Sequence, residues 1–271
     1  MDSQTGVVVV DKPAGLTSHD VVSRARRALG IRRVGHAGTL DPFATGVLIV
    51  LAGRATRLAR FFGALPKTYE VVARLGARSS TGDPEGEIVE TGNVPRALTL
   101  PLGVVRQRPP AYSAVKVRGE PAYRRARRGE SVVTAEREVT VHESAELWRD
   151  GTHAGLRFVC STGTYVRSLV ETLGGDAYCV ALRRLAIGPF DTAGAWSAEG
   201  LPRLIGIADA WARFGSVIEL EGPDAAAVAH GRPIDARGIA GSVLLLGADG
   251  GLLAVASERD GMLRVEVGLR G

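Results

Sequence analysis

The apolar residues of this chain come in short runs, and the longest, such as Val47 to Ala52, are strand-sized. Turn clusters rich in Gly, Pro, Asp and Thr bound them, so the chain can bury itself only as short strands and short helices. None approaches the ~18 apolar residues of a membrane-spanning helix. Gly6 to Asp11 reads as a buried strand, ended by Lys12-Pro13-Ala14-Gly15. Thr17 or Ser18 then caps a helix with Asp20 in its first turn, Val21, Val22, Ala25 and Leu29 on one side, and Gly30 at its end.

Beyond a turn-rich loop at 35–46 the pattern predicts strands over 47–52 and 68–75, with a short helix over 56–62 between them. Ser79 to Gly86 is a polar turn cluster leading to Ile88 and Val89. The stretch 93–110 is Pro-rich and gives no clear element. A basic helix is expected over 120–128, strands over 132–141, 145–148 and 156–161, a helix over 164–173, an extended segment over 181–187, and more helix near 197–213. Strands and helices do not alternate strictly, which favours α+β with a mixed sheet over a doubly wound fold. From about residue 216 short apolar runs separated by Gly-Asp turns read as a small β domain, giving expected units of 1–215 and 216–271.

Charge is unevenly spread. Net charge is +5, yet residues 218–271 carry eight acids against five arginines. Two basic windows stand out: residues 24–60 hold eight arginines and one acid, Asp41, and residues 106–128 hold eight Lys or Arg and one acid, Glu120. Such clustering suits a polyanionic partner and points to nucleic acid. The two cysteines, Cys160 and Cys179, cannot make a disulfide framework or a four-Cys zinc site within one chain. Cys160 alternates with Leu156 and Phe158 and so is expected in the core. The N-terminal stretch has no basic region before its apolar run, as a secretory signal would, and a cytoplasmic protein is expected. P-loop, dinucleotide, zincin and nucleophile-elbow motifs are all missing from the sequence, and the five histidines lack metal-ligand spacing.

What remains is the loop Gly35-His36-Ala37-Gly38-Thr39-Leu40-Asp41-Pro42-Phe43-Ala44-Thr45-Gly46. Pro42 biases Asp41 towards an extended conformation that can present its carboxylate. As the only acid among eight arginines, Asp41 is expected to be held ionised with a lowered pKa, as a nucleophile requires; the alternative is a simple Asp-Pro turn. Arg167 falls in the first turn of its expected helix, where the macrodipole disfavours a cation by roughly 0.3–1 kcal/mol. A broken local rule of this kind often marks a functional position. The natural partner for Arg167 is a buried carboxylate, and Asp41 is the isolated one.

Lys12-Pro13-Ala14-Gly15-Leu16-Thr17-Ser18, the 33–46 segment, Lys67-Thr68-Tyr69, Ser161-Thr162-Gly163-Thr164-Tyr165-Val166-Arg167 and Leu182-Arg183-Arg184 occur in an order that resembles the bacterial TruB family of tRNA pseudouridine-55 synthases. The likeness runs from about Gly6 to Pro189. It implies a pseudouridine synthase fold, with a mixed, largely antiparallel sheet flanked by helices. It also implies isomerisation of a flipped-out T-loop uridine in tRNA without cofactor or metal. By resemblance Asp41 is the catalytic aspartate, Tyr69 stacks on the flipped base and can move a proton, and Arg167 orients Asp41. Tyr165 and Leu182 line the uridine pocket, and His36 pushes into the T-loop. Pro110 to Lys116 with Tyr123 and Arg124 resembles an RNA-contacting insertion near 106–130, and the C-terminal unit stands where the family carries a PUA domain. A monomer is expected, with tRNA as partner and no membrane or obligatory protein partner.

Three other readings compete. The related guide-RNA-dependent enzyme shares the Gly-Thr-Leu-Asp-Pro loop, but the 73–76 and 81–86 segments look more like the stand-alone enzyme. A non-catalytic RNA-binding protein need not keep Asp41, Tyr69 and Arg167. A hydrolase with an aspartyl nucleophile would want further acids near Asp41, and residues 24–60 offer none.

Overall fold

Val7 to Val10 are four β-branched residues in succession, stiff at χ1 and well suited to a pleated, packed surface. They form the centre of the strand Gly6–Lys12, which pairs antiparallel with Thr45–Ala52. From Gly46 onward that second strand is buried on both faces, which explains its unbroken apolar run. The computed structural model describes residues 5–113, 115–236 and 238–270; Met1 to Gln4 of the N-terminal stretch and Ala114 of the insertion lie outside the described residues.

The large sheet has the order Gly6–Lys12, Thr45–Ala52, Ala177–Ile187, Lys67–Leu75, His153–Cys160, Arg137–Asp150 and Gly103–Gln107, with Val34–His36 and Phe190–Asp191 as short additions. Its pairs are antiparallel except one. Thr45–Ala52 and Ala177–Ile187 run parallel and meet only at Thr45 with Arg183 and at Gly46 with Arg184. The strand Ala177–Ile187, late in the sequence, is thus inserted at the centre, where it joins the half built from residues 6–52 to the half built from residues 67–160. One apolar cluster packs on the second half, around Val71, Leu156, Phe158 and Cys160. Two others cover opposite faces of the first half.

Helix Ser18–Leu29 has the expected ends: Thr17 and Asp20 form a capping box, and Gly30 closes it at φ 66°. Elsewhere sequence periodicity overstates helix. The 56–62 expectation divides into a 3₁₀ turn, Gly53–Leu58, and a short α-helix, Ala59–Ala64. Only Val166–Val170 of 164–173 is α-helical, and only Ile207–Trp211 of 197–213. In the latter stretch Ala198 and Gly200 take left-handed backbone angles and Ile205 bridges to Val7, so the chain follows the sheet edge instead. The basic helix is Ala122–Arg127. The strands expected over 132–141 and 145–148 are one strand, Arg137–Asp150; two bulges, at Val141/Glu143 and Glu146/Trp148, carry it through the polar residues that look like a break. Within the Pro-rich stretch, Gly103–Gln107 forms the edge strand.

A five-stranded sheet follows, in the order Ser216–Leu220, Ser242–Gly247, Leu252–Arg259, Met262–Gly268 and Ile234–Asp235, with helix Gly222–Ala229 beside it. Leu244, Leu246, Val255 and Leu269 of this region share a core with Phe62, Phe190 and Trp211. Phe61, Phe62, Phe190, Trp211 and Phe214 stack in tilted and edge-on pairs there.

Candidate active site

The seam where Ala177–Ile187 joins the two half-sheets gathers the site. Asp41 lies in the loop between Val34–His36 and Thr45–Ala52, and buried polar side chains from three elements hold that loop. Lys12, fully buried, donates from Nζ to the carbonyls of Leu16 at 2.7 Å, Pro13 at 2.9 Å and Pro42 at 3.2 Å. Ser18 Oγ donates to the Leu40 carbonyl at 3.1 Å and accepts the Leu40 N–H at 2.9 Å. Arg184 is also buried; its Nε donates to Val47 O at 2.6 Å, and its Nη1 and Nη2 reach the carbonyls of Thr39 at 3.1 Å and Gly38 at 3.3 Å. Where the loop rejoins the sheet, Gly46 sits at φ 105°, and a Cβ there would stand 2.1 Å from the Arg184 carbonyl oxygen. Only glycine lets the two strands approach at this point.

Arg167 meets Asp41 from the other half. Its side chain is 3% exposed, and its Nε lies 3.0 Å from Asp41 Oδ2 as an ion pair rather than an aligned hydrogen bond. Its Nη1 lies 2.9 Å from Asp83 Oδ2 and donates to Thr81 O at 2.7 Å; its Nη2 donates to Tyr112 O at 2.9 Å. Two carboxylates thus offset the unfavourable dipole at the start of Val166–Val170. Asp83 is fixed in turn by Thr81 Oγ1 at 2.6 Å and by the Glu85 N–H at 3.0 Å.

The direction of the Asp41 pKa shift differs from the expectation. Burial is the largest influence and pushes its carboxyl above the ordinary range. Arg167 pulls it back, Asp83 pushes it further up, and Arg184 opposes the rise. The arginines of the 24–60 window do not decide it, because Arg27, Arg32, Arg33, Arg57 and Arg60 are exposed. Burial likewise lowers Lys12 and Lys67 to about 8 each. It raises the Tyr69 phenol, with Arg184, its neighbour across the strand pair, opposing.

A cleft of about 270 Å³ opens at Asp41, lined among others by Tyr69, Tyr165, Arg167, Leu182, Ser113 and Arg137. Gln107 clasps the backbone of Tyr165, accepting its N–H at 2.7 Å and donating to its carbonyl at 3.4 Å. The Arg137 guanidinium lies 4.9 Å from the centre of the Tyr165 ring. Five of the six site residues singled out in the sequence therefore share one cleft. His36 does not line it: half-buried, its Nδ1 accepts the Gly38 N–H at 3.3 Å. Among the described residues no three His, Cys, Asp or Glu side chains group as metal ligands.

Asp83, Gln107 and Arg137 escaped the sequence reading. Asp83-Pro84 repeats the Asp-Pro signal of the Asp41 loop inside a turn of small polar residues, the one local clue to it. The basic window at 106–128 is also less charged than it reads, because acids just downstream pair with it: Glu138 with Arg106, Glu136 with Arg108, and Glu130 with Arg125 and Arg128. Lys116, Arg118, Arg124 and Arg127 stay exposed.

A mixed sheet with the Asp41 loop at its central seam is a fold with counterparts among solved structures. The chain superposes on the crystal structure of a Cbf5–Nop10–Gar1 complex with a TM-score of 0.69, over 98% of this chain and 85% of that one, at 24% identity. A model of the N-terminal domain of TruB family pseudouridylate synthases matches residues 26–166, and the chain belongs to that family. It is 46% identical to a protein of Thermobifida fusca named tRNA pseudouridine synthase B, over 94% of this chain and 95% of the relative. A protein of the same name from Corynebacterium aurimucosum is 40% identical over 94% and 93% of the two chains.

Proposed function

We propose that this chain isomerises uridine 55 in the T-loop of tRNA to pseudouridine, acting alone, with Asp41 as the covalent catalyst. The observation that carries this reading is the Asp41–Arg167 pair at 3.0 Å, its arginine buried and its carboxylate at the cleft lined by Tyr69, Tyr165 and Leu182. Likeness to proteins named tRNA pseudouridine synthase B at 40–46% identity, against 24% for the Cbf5 complex, favours the stand-alone tRNA enzyme over the guide-RNA form.

A uridine in a folded loop must leave its stack to reach this cleft, at a cost of a few kcal/mol. Stacking on an aromatic face such as Tyr69 recovers about 1–3 kcal/mol. The Asp41 carboxylate then bonds covalently to the nucleotide, the N1–C1′ bond breaks, the uracil turns within the cleft, and C5 bonds to C1′. The proton lost from C5 is balanced by one gained at N1, and Asp41 leaves as it entered, so no redox partner or water is consumed. Arg167 keeps the carboxylate aimed and offsets its charge throughout. Exposed Lys116, Arg118, Arg124 and Arg127 on the insertion and the arginines of helix Ser18–Leu29 supply phosphate contacts to the folded RNA. The five-stranded C-terminal sheet, read as PUA-like, adds a local RNA contact, its net negative charge arguing against a strong phosphate grip.

The test is to incubate unmodified tRNA transcript with wild-type protein and with Asp41→Asn, then to map pseudouridine. Modification at position 55 by the wild type alone is expected. An equally active Asn variant would remove Asp41 from the covalent role, and a wild type that binds the transcript without modifying it would make this an RNA-binding protein.

A further inference from the structure

Ser113 lies in the insertion, 5% exposed, and lines the cleft, yet its Oγ has no hydrogen-bond partner among the described residues. A buried hydroxyl left unpaired is costly, and native structures rarely keep one without a use for it. The groups around it are committed. The carbonyl of Tyr112 accepts Arg167 Nη2 at 2.9 Å, and the carbonyl of Ser113 itself accepts the Tyr123 N–H at 3.1 Å, within the basic helix Ala122–Arg127. Two adjacent residues therefore touch the Asp41–Arg167 pair on one side and the basic helix on the other. Between them the Ser113 side chain lines the cleft with its hydroxyl unpaired.

We propose that Ser113 is a substrate-contacting, specificity-determining residue whose hydroxyl donates to a carbonyl oxygen of the target uracil. This rests on the pseudouridine synthase reading above. Uracil carries carbonyls at C2 and C4, on either side of N3. Turning the ring over about the line through N3 and C6, which exchanges N1 for C5 opposite C1′, also exchanges those two oxygens. One fixed donor then finds an acceptor in the same place before and after the turn. Cytosine offers a carbonyl in one orientation and an amino group in the other, so the same donor holds it through only half of the sequence. A serine hydroxyl is small enough to rotate with the base, and the basic helix bonded to the Ser113 carbonyl ties its position to RNA docking.

The test uses the full chain and tRNA transcripts carrying uridine or 4-thiouridine at the target position, a thiocarbonyl being the weaker acceptor. Ser113→Ala is expected to slow single-turnover pseudouridine formation about three- to tenfold, as loss of one neutral hydrogen bond implies. Melting temperature and tRNA affinity stay near wild type, and Ser113→Thr, which keeps the hydroxyl, retains most of the rate. Wild type slows on 4-thiouridine, whereas Ser113→Ala slows little further. An alanine variant as fast as wild type overturns the inference, as does equal slowing of both proteins by the thio substrate. A lowered melting temperature with the Thr variant as slow as the Ala variant makes Ser113 structural and overturns it too. A wild type that forms no pseudouridine overturns the parent reading and this inference with it; an active wild type beside an equally active alanine variant overturns this inference alone.

Discussion

Replacing Asp83 with asparagine changes the charge balance behind Asp41 while keeping the shape of the turn. The Asp83 side chain is 7% exposed and lies 2.9 Å from Arg167 Nη1, and Arg167 also holds Asp41 and two backbone carbonyls. Asparagine can still accept from Thr81 Oγ1 and the Glu85 N–H. What is lost is one charge-assisted contact to a buried guanidinium, about 1.5–3 kcal/mol of stability. Asp83→Ala, which removes one of two carboxylates from a buried cation and leaves Thr81 Oγ1 and the Glu85 N–H without their acceptor, costs about 3–5 kcal/mol. The same change acts on Asp41. Asp83 is one of the groups holding the Asp41 carboxyl up, and without it Arg167 is left to Asp41 alone, so the Asp41 pKa falls. The proposed mechanism requires the carboxylate, so the acid limb of the rate profile is expected to move to lower pH in Asp83→Asn. Urea unfolding measures the first effect, and single-turnover pseudouridine formation across the acid range measures the second. Unchanged stability, or an acid limb that stays in place or moves upward, would refute the shared-arginine account of the site.

Asp41→Asn gives a second signed outcome. Because burial raises the Asp41 pKa above 3.8, the folded state binds that proton more tightly than the unfolded one, and wild-type stability falls as pH rises through the two values. The asparagine variant is therefore expected to be inactive but more stable than wild type to urea at neutral pH, with the gain vanishing in acid; a less stable variant at neutral pH contradicts burial as the dominant influence. Arg184→Lys keeps the charge but cannot serve the carbonyls of Gly38, Thr39 and Val47 together, and leaving two of them unpaired costs about 2–4 kcal/mol by urea titration, with activity falling as the Asp41 loop loosens. Gly46→Ala forces a side chain onto φ 105° and into the Arg184 carbonyl, so strain of about 1–3 kcal/mol adds to the overlap. A soluble Gly46→Ala protein of wild-type stability would show that the strands can separate there.

Much of this arrangement is legible locally. Thr17, Asp20 and Gly30 mark their helix because capping is a matter of a few adjacent residues. Arg167 and Asp41 each break a local rule, a cation at a helix start and an acid among arginines, and each is the other's remedy. The roles of Lys12 and Arg184 are not legible, since their partners are backbone carbonyls 30 and 145 residues away and carry no sequence signature. Asp83 hides for a related reason: an Asp-Pro in a polar turn reads as exposed, and only the long-range docking of that turn on Arg167 buries it. The direction of the Asp41 shift is not legible either, because counting charges along the chain says nothing of burial, which here outweighs them.

The topology explains why the site depends so heavily on distant pairs. Asp41 belongs to the half-sheet formed by residues 6–52, and Tyr69 to the half formed by residues 67–160. Leu182 and Arg184 lie on the strand that closes the seam between them. Neither half can hold the loop alone: Lys12 and Ser18 grip it from the first, while Arg184 grips it only once the closing strand is in place. Arg167 follows His153–Cys160, the strand on the far side of Lys67–Leu75, and reaches Asp41 across the same seam. The Asp41 carboxylate is thus held in place only when these long-range pairings have formed, and the partial burial they impose raises its pKa. The insertion meets the site at three points: Gln107 holds the Tyr165 backbone, the Tyr112 carbonyl accepts from Arg167, and Ser113 lines the cleft. A displacement of the insertion would therefore act on the Arg167 side of the ion pair, leaving the three grips on the Asp41 loop untouched.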